Sequence, residues 1–191
     1  MNNNFKKILT LTCLISVLCG CGEDKKKEEE EEISKKPPES GINIVENGLS
    51  DYKIIYSDES PTVINAASEI SSFIYQSSGV SIPYQADTGE TFKPSDKVIS
   101  VGDTTIFKGS GLEITNDMHK TGYYLKRFDN TLILNAHDPN GVISGAYDFL
   151  NYTIDLEFYS DDEFVFTKMD RVPLLDFDFK FIPYIDVRGI L

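Results

Sequence analysis

Between Gly22 and Pro38 the chain holds almost nothing that can be buried. Glu23 and Asp24 lead into Lys25, Lys26 and Lys27; an unbroken glutamate run, Glu28 to Glu32, follows, and Lys35, Lys36, Pro37 and Pro38 close the stretch, with Ile33 as its one sizeable apolar residue. Such a segment cannot offset its ordering entropy by burial, and the proline pair stiffens its end. A short Lys/Glu helix there would have no face to bury. The glutamates read as a solvated spacer rather than a cation site or an export address. The run therefore divides the 191-residue chain into a leader over residues 1–20, a charged tether over residues 21–40, a folding segment over residues 41–182 and a short tail over residues 183–191.

The leader has Lys6 and Lys7 before an apolar run from Ile8 to Leu18, too short to span a hydrocarbon core of about 30 Å. It reads as a signal peptide. All three cysteines, Cys13, Cys19 and Cys21, lie in this part of the chain, so no disulfide framework can staple the fold. The ending Leu18-Cys19-Gly20-Cys21 resembles the lipobox of bacterial lipoproteins. The resemblance implies that Cys21 is lipidated and becomes the mature N-terminus. Acyl chains contribute about 0.8 kcal/mol per buried CH₂, so the protein is expected outside the cytoplasm, held by lipid to a bacterial membrane or cell surface.

A formal net charge of -13, with no cluster of Lys and Arg, argues against nucleic acid as a partner, because tracking phosphates needs a concentrated cationic face. The folding segment, at about 150 residues, is long enough to bury roughly 68–70% of its unfolded surface. Its hydrophobic period changes along the chain. Asp51 to Ser57 reads as a strand, and Ser60-Pro61 supplies an N-cap and an N1 proline for a helix whose apolar stripe is Val63, Ala66, Ala67, Ile70, Phe73 and Ile74, closed by Gly79. Further strands are expected over Val80 to Tyr84, Lys97 to Val101, Gly122 to Phe128 and Thr131 to Ala136, the last two joined by Asp129-Asn130 as an antiparallel hairpin. Asp138-Pro139-Asn140 starts a second helix with Val142, Ala146, Phe149 and Leu150 inward, and Gly141 and Gly145 allow that face to approach a sheet closely. Leu156 to Tyr159 and Glu163 to Thr167 are short extended segments, and Asp176 to Phe181 alternates with period two. The chain has no internal repeats.

Several of these elements together carry a resemblance: Lys53-Ile54-Ile55-Tyr56, the helix with Ala66-Ala67 and Glu69, the strand closing on Val101-Gly102-Asp103, the hairpin from Gly122-Tyr123-Tyr124 to Leu132-Ile133-Leu134, and above all Asn140-Gly141-Val142-Ile143-Ser144-Gly145-Ala146-Tyr147-Asp148-Phe149-Leu150. From about residue 50 to residue 188 the sequence resembles the non-catalytic N-terminal domain that precedes the barrel in α-glucuronidases and β-N-acetylhexosaminidases. The resemblance implies an α/β (α+β) sandwich with two helices on a mixed sheet, followed in those enzymes by a (β/α)₈ barrel that this chain lacks. The ending from Ile182 through Pro183, Tyr184, Ile185, Asp186, Val187, Arg188 and Gly189 to Leu191 is similar to the run opening the hexosaminidase barrel. By that similarity Arg188 would bind sugar hydroxyls, although Ile185 stands where the family has an aromatic residue. A planar guanidinium at the end of a first barrel strand can donate to vicinal hydroxyls.

Cleaving a glycosidic bond takes two carboxylates about 5–5.5 Å or about 6.5–9.5 Å apart, or one strong acid with substrate assistance. The acids here do not read that way. Asp161-Asp162-Glu163 is a solvated turn, and Asp176 and Asp178 are the polar face of an alternating strand. His119 and His137 lack metal-pair spacing, Gly109-Ser110-Gly111 lacks the lysine of a phosphate loop, and neither metal nor cofactor is expected. Asn151-Tyr152-Thr153 matches a glycosylation sequon with no expected use. Tyr123, Tyr124, Tyr147, Tyr152, Tyr159 and Tyr184 are the aromatic candidates for stacking on sugar rings. The sequence thus leads to a non-catalytic domain of a surface-anchored glycoside hydrolase, truncated before its barrel, since Val187 to Leu191 reads as the start of a buried strand. The alternative is a free-standing, lipid-anchored module that binds glycans or proteins.

Overall fold

Ser60 shows how locally the first helix is specified. Its backbone is extended (φ -143°, ψ 133°), its Oγ accepts a hydrogen bond from Thr62 N at 3.2 Å, and Pro61 follows at N1, so the first orphan donors of the helix are met or removed. The helix ends where Gly79 turns left-handed at φ 77° and donates its N–H to Tyr75 O at 2.7 Å. The computed structural model describes residues 36–160 and 163–183. In chain order the elements are β1 (Glu39–Val45), β2 (Lys53–Tyr56), α1 (Pro61–Ser78), β3 (Tyr84–Ala86), β4 (Val98–Val101), α2 (Thr105–Gly109), a 3₁₀ turn (Asn116–Met118), β5 (Tyr123–Phe128), β6 (Thr131–Ala136), α3 (Pro139–Ile154), β7 (Glu157–Phe158), β8 (Phe164–Val165), β9 (Val172–Leu175) and β10 (Asp178–Phe181).

Six strands form a mixed sheet in the order β10-β5-β6-β4-β2-β3. β2, β3, β4 and β6 run parallel, with Ile54 beside Ile99 and Ile99 beside Leu132, while β5 is antiparallel to both β6 and β10. Because side chains alternate across a strand, the register sorts the core into two. Ile54, Ile99, Val101, Leu125, Leu132 and Leu134 belong to the core that includes the stripes of α1 and α3, whereas Ile55, Val98 and Ile133 join Ile106 and Phe107 of α2 in a second, smaller cluster. The architecture is helices on a mixed sheet, an α+β fold with no closed barrel among the described residues, as the resemblance implied. Burying each Ile or Phe of the helix stripes contributes about 1.5–3 kcal/mol.

Three features depart from the sequence reading. Val80 to Pro83 is not a strand: Ile82 is buried with its carbonyl taking a hydrogen bond from Ser71 Oγ at 2.6 Å, and Pro83 cannot donate, so pairing with β2 begins only at Tyr84. α2 was not expected; Thr104 caps it, accepting from Phe107 N at 3.0 Å. The antiparallel pair of β1 and β9 was not expected either. β9 contains Pro173, which usually demotes a strand, yet here it sits at a two-stranded pair with irregular register. β1 starts at Glu39, within the stretch read as tether. Lys36 pairs with Asp155 at 2.8 Å, Ser40 Oγ donates to Leu174 O at 2.6 Å and Arg171 meets Glu39 at 2.9 Å. β7 and β8 form a hairpin whose Phe158 meets Phe73 of α1 and Tyr147 of α3, with ring centroids 6.0 and 5.2 Å apart.

The seating of α3 depends on its glycines. A Cβ on Gly141 would lie 2.5 Å from Gly122 O and 2.7 Å from Ala136 Cβ, and one on Gly145 would lie 2.5 Å from Leu134 Cδ1 and 2.9 Å from the Tyr123 ring. A backbone carbonyl cannot yield as a side-chain tip can. Gly141→Ala is therefore expected to destabilise the fold by about 1–3 kcal/mol, despite alanine's better helix propensity. Gly145→Ala should cost less than Gly141→Ala. Urea melts of the two variants against the parent check both the sign and the order.

Candidate functional site

Three parallel strands end side by side, and each hands the chain to a polar turn. β2 is followed by Ser57, β4 by Gly102-Asp103 and β6 by His137-Asp138, and α1 and α3 both begin at this edge. In open α/β sheets the space outside the carboxyl ends of parallel strands is where ligands are bound. Here that space is a cleft of about 500 Å³, within the usual range for a small-molecule site. Its walls are Ser57, Glu59, Ser60 and Val63 from the start of α1, Gly102 and Asp103 after β4, Phe107 and Ile114, and the segment Asn135 to Pro139 with Val142.

Gly102 makes the turn at φ 83° and a Cβ on it would lie 2.8 Å from Val63 Cγ1, so two separate constraints require glycine there. Its N–H donates to Leu134 O at 2.8 Å. Asp103 is held by Lys108 at 3.1 Å, and this carboxylate is the first cause raising the Lys108 pKa. Asp138 caps α3, its Oδ1 accepting from Asn140 N at 2.9 Å. Two polar side chains at the cleft keep unused hydrogen-bonding capacity; neither belongs to the atoms sealed from solvent without a partner, which among the described residues are Tyr52 Oη and Thr153 Oγ1. Asn135, 2% exposed, accepts from Ala136 N through Oδ1 at 2.8 Å, which fixes the amide orientation and leaves both Nδ2 hydrogens without an acceptor among the described residues. The Ser57 hydroxyl, in a residue 6% exposed, has no hydrogen-bond partner among the described residues. Both residues line the cleft.

Of the residues singled out from sequence, Cys21, Arg188, Asp161, Asp162 and Tyr184 lie outside the described residues. His137 is brought to the cleft; His119 sits apart from it, after the 3₁₀ turn, at φ 52°. Asp176 is ion-paired with Arg127 at 2.7 Å and Asp178 with Lys126 at 2.7 Å; Asp178 lies on the exposed face of β10 as expected, whereas Asp176 precedes that strand in the connection from β9. Glu163 is exposed, its carbonyl closing the hairpin turn by accepting from Tyr159 N at 2.8 Å. Among the tyrosines, Tyr123 is buried and stacked on Phe181 at 5.2 Å, Tyr147 packs on Phe158 and Tyr152 on Phe179. Tyr124 lies under Lys180. Tyr159 is the one of this set with a widely exposed ring among the described residues, and its hydroxyl donates to Glu157. Tyr75 and Tyr84, not singled out from sequence, are also exposed. Ser57, just after β2, and Asn135, the penultimate residue of β6, were missed. Among the described residues no group of His, Cys, Asp and Glu is placed to hold a metal ion, and no helix is long and apolar enough to cross a membrane.

No family model and no curated protein matches the chain. Solved structures similar to it include a 4-O-methyl-α-glucuronidase of family GH115 with specificity for decorated arabinogalactans, at 19% identity and a TM-score of 0.38, covering 52% of this chain and 13% of that one. A variant of the Streptomyces plicatus β-hexosaminidase in complex with its product GlcNAc is similar at 12% identity and a TM-score of 0.38, over 72% of this chain and 24% of that one. A second variant of the same enzyme gives 12% identity and a TM-score of 0.36, over 63% and 21%. The chain thus spans less than a quarter of the length of each of these structures.

A second polar cluster lies under α3, away from the cleft walls. The Tyr123 hydroxyl donates to Asp148 Oδ2. Burial holds the Asp148 pKa above the ordinary carboxylate value against the lowering effect of that hydrogen bond, and burial together with Asp148 pushes Tyr123 well above the usual phenol range. A raised carboxyl pKa means that the folded state takes up a proton before the unfolded state does. Its stabilising contribution is complete below the unfolded value of about 3.9 and is lost as pH rises through the folded pKa. Asp148→Asn keeps an acceptor for Tyr123 and removes this titration. The variant is expected to melt at or above the parent temperature at pH 7, with the difference closing as pH falls toward about 4. Thermal melts of both proteins across that range measure it.

Proposed function

We propose that this domain is the non-catalytic sandwich of a surface-anchored glycoside hydrolase, working in polysaccharide degradation beside a catalytic barrel in the same protein. The observation that carries the reading is the role of Asn140 to Leu150. The stretch with the strongest family resemblance is the helix whose glycines set its contact with Tyr123 and Leu134, so the resemblance falls on the residues that fix the packing. Two of the three carboxylates around the cleft are already engaged, Asp103 by Lys108 and Asp138 by the start of α3, which leaves Glu59 without the second acid of the pair that glycosidic cleavage takes. In this reading Cys21 carries the lipid, the residues after it form the tether, and Arg188 contributes to sugar binding once the barrel is in place.

A second reading, a lipid-anchored module that binds glycans on its own, is favoured by the cleft with its unused Ser57 and Asn135 groups. The two differ in the size of the native product. Immunoblotting of the producing cells with an antibody to residues 41–150 is expected to give a detergent-soluble, lipid-labelled band far above the mass of the 191-residue chain, and Cys21→Ser should abolish the label. A lipid-labelled band at the size of this chain less its leader would instead support the free-standing module and remove the glycosidase reading.

A further inference from the structure

The cleft at the ends of β2, β4 and β6 is lined by both hydrogen-bond donors and hydrogen-bond acceptors. Asn135 presents two amide hydrogens that need acceptors, and Ser57 presents a hydroxyl able to give or take one hydrogen bond; both belong to residues more than nine-tenths buried. Both polar atoms remain within reach of solvent, so a ligand that offers hydroxyls can take over hydrogen bonds otherwise made to water. Opposite in character are Glu59 and Asp103, carboxylates on the same walls that can only accept. Donors and acceptors thus stand together around one space, a set that matches hydroxyl groups, each of which gives one hydrogen and accepts others.

Charge narrows the ligand further. Glu59, Asp103 and Asp138 line the cleft, no lysine or arginine does, and the nearby Lys108 is taken up by Asp103, so that three carboxylates oppose the pull of the α1 and α3 N-termini on a phosphate, sulfate or uronate. Val63, Ile114, Pro139 and Val142 supply apolar wall between the polar groups, suited to the C–H face of a ring. We infer that this cleft is a binding site for a neutral, hydroxyl-rich ligand of sugar size, in which Asn135 and Ser57 hydrogen-bond ring hydroxyls and Asp103 or Glu59 accepts from a neighbouring one. The choice of a sugar among hydroxyl-rich molecules rests on the glycosidase reading above, whereas the placement of the site and its preference for a neutral ligand rest on the cleft.

Calorimetric titration of the full chain in detergent with galactose, xylose, xylobiose and N-acetylglucosamine tests this, with glucuronic acid and inorganic phosphate as charged comparators. At least one neutral sugar is expected to bind, and more tightly than either anion. Ser57→Ala removes a hydroxyl that has no partner in the fold, so it should leave the melting temperature unchanged and weaken binding about two- to tenfold. Asp103→Asn, on a half-exposed side chain, is the second variant and should weaken it similarly. Failure of every neutral sugar to bind, tighter binding of glucuronic acid or phosphate, or equal affinity in both variants would each overturn the proposal. A native product no larger than this chain would remove the glycosidase reading and leave a Ser57-dependent sugar affinity standing, so the two can fail separately.

Discussion

The fold turns on how closely α3 approaches the sheet. At Gly141 the helix backbone comes so near Gly122 O that no side chain fits, and at Gly145 the space is taken by Leu134 and the Tyr123 ring. That distance sets the depth at which Val142, Ala146, Phe149 and Leu150 enter the core, which Ala66 and Ala67 of the neighbouring helix α1 share. Small residues on both helices bring their backbones down onto β2, β4 and β6, and the larger Ile and Phe side chains fill the spaces to either side. Protein interiors are dense enough that such a distance cannot drift without moving its neighbours.

The same approach creates the cleft. With both helices starting at the carboxyl edge of three parallel strands, the turns after β2, β4 and β6 must leave the sheet in a small space, and Gly102 does so left-handed against Val63. What remains between the turns is a cavity whose polar groups come from separated parts of the chain. Its acidic walls continue the charge of the whole molecule, and the basic residues nearest to them are already engaged, as Lys108 is by Asp103. On the far side of the loop after β3, Asp87 is held by Thr105 N, Gly89 N and Thr105 Oγ1. Partial burial opposes its ionisation, and those hydrogen bonds outweigh burial and hold its pKa well below the ordinary value, tying that loop to α2.

What could be read in advance followed from how local each signal is. Ser60-Pro61, Gly79, Asp129-Asn130 and Asp138-Pro139 act within a few residues of themselves, and each stands where the sequence placed it, with Asp129 taking the positive φ of the hairpin turn. The pair of β1 and β9 joins residues more than a hundred positions apart, and neither strand alternates cleanly, because Gly41 interrupts one and Pro173 the other. Ser57 and Asn135 look like ordinary strand-end residues in the chain. Their joint position depends on strand order, with β4 lying between β2 and β6, and no spacing in the sequence carries that information. Ile82 reads as a strand residue by its neighbours and is claimed instead by Ser71.

The edges of the sheet have a bearing on crowding. At one side β3 offers a neighbour three residues, and at the other β10 alternates Asp178 and Lys180 with its aromatic residues before Pro183. A short edge and a charged one are poor templates for a strand from another molecule. Copies at high concentration collide far more often than copies in dilute solution. Among the described residues these edges give such collisions little backbone to extend, so crowding need not become polymerisation.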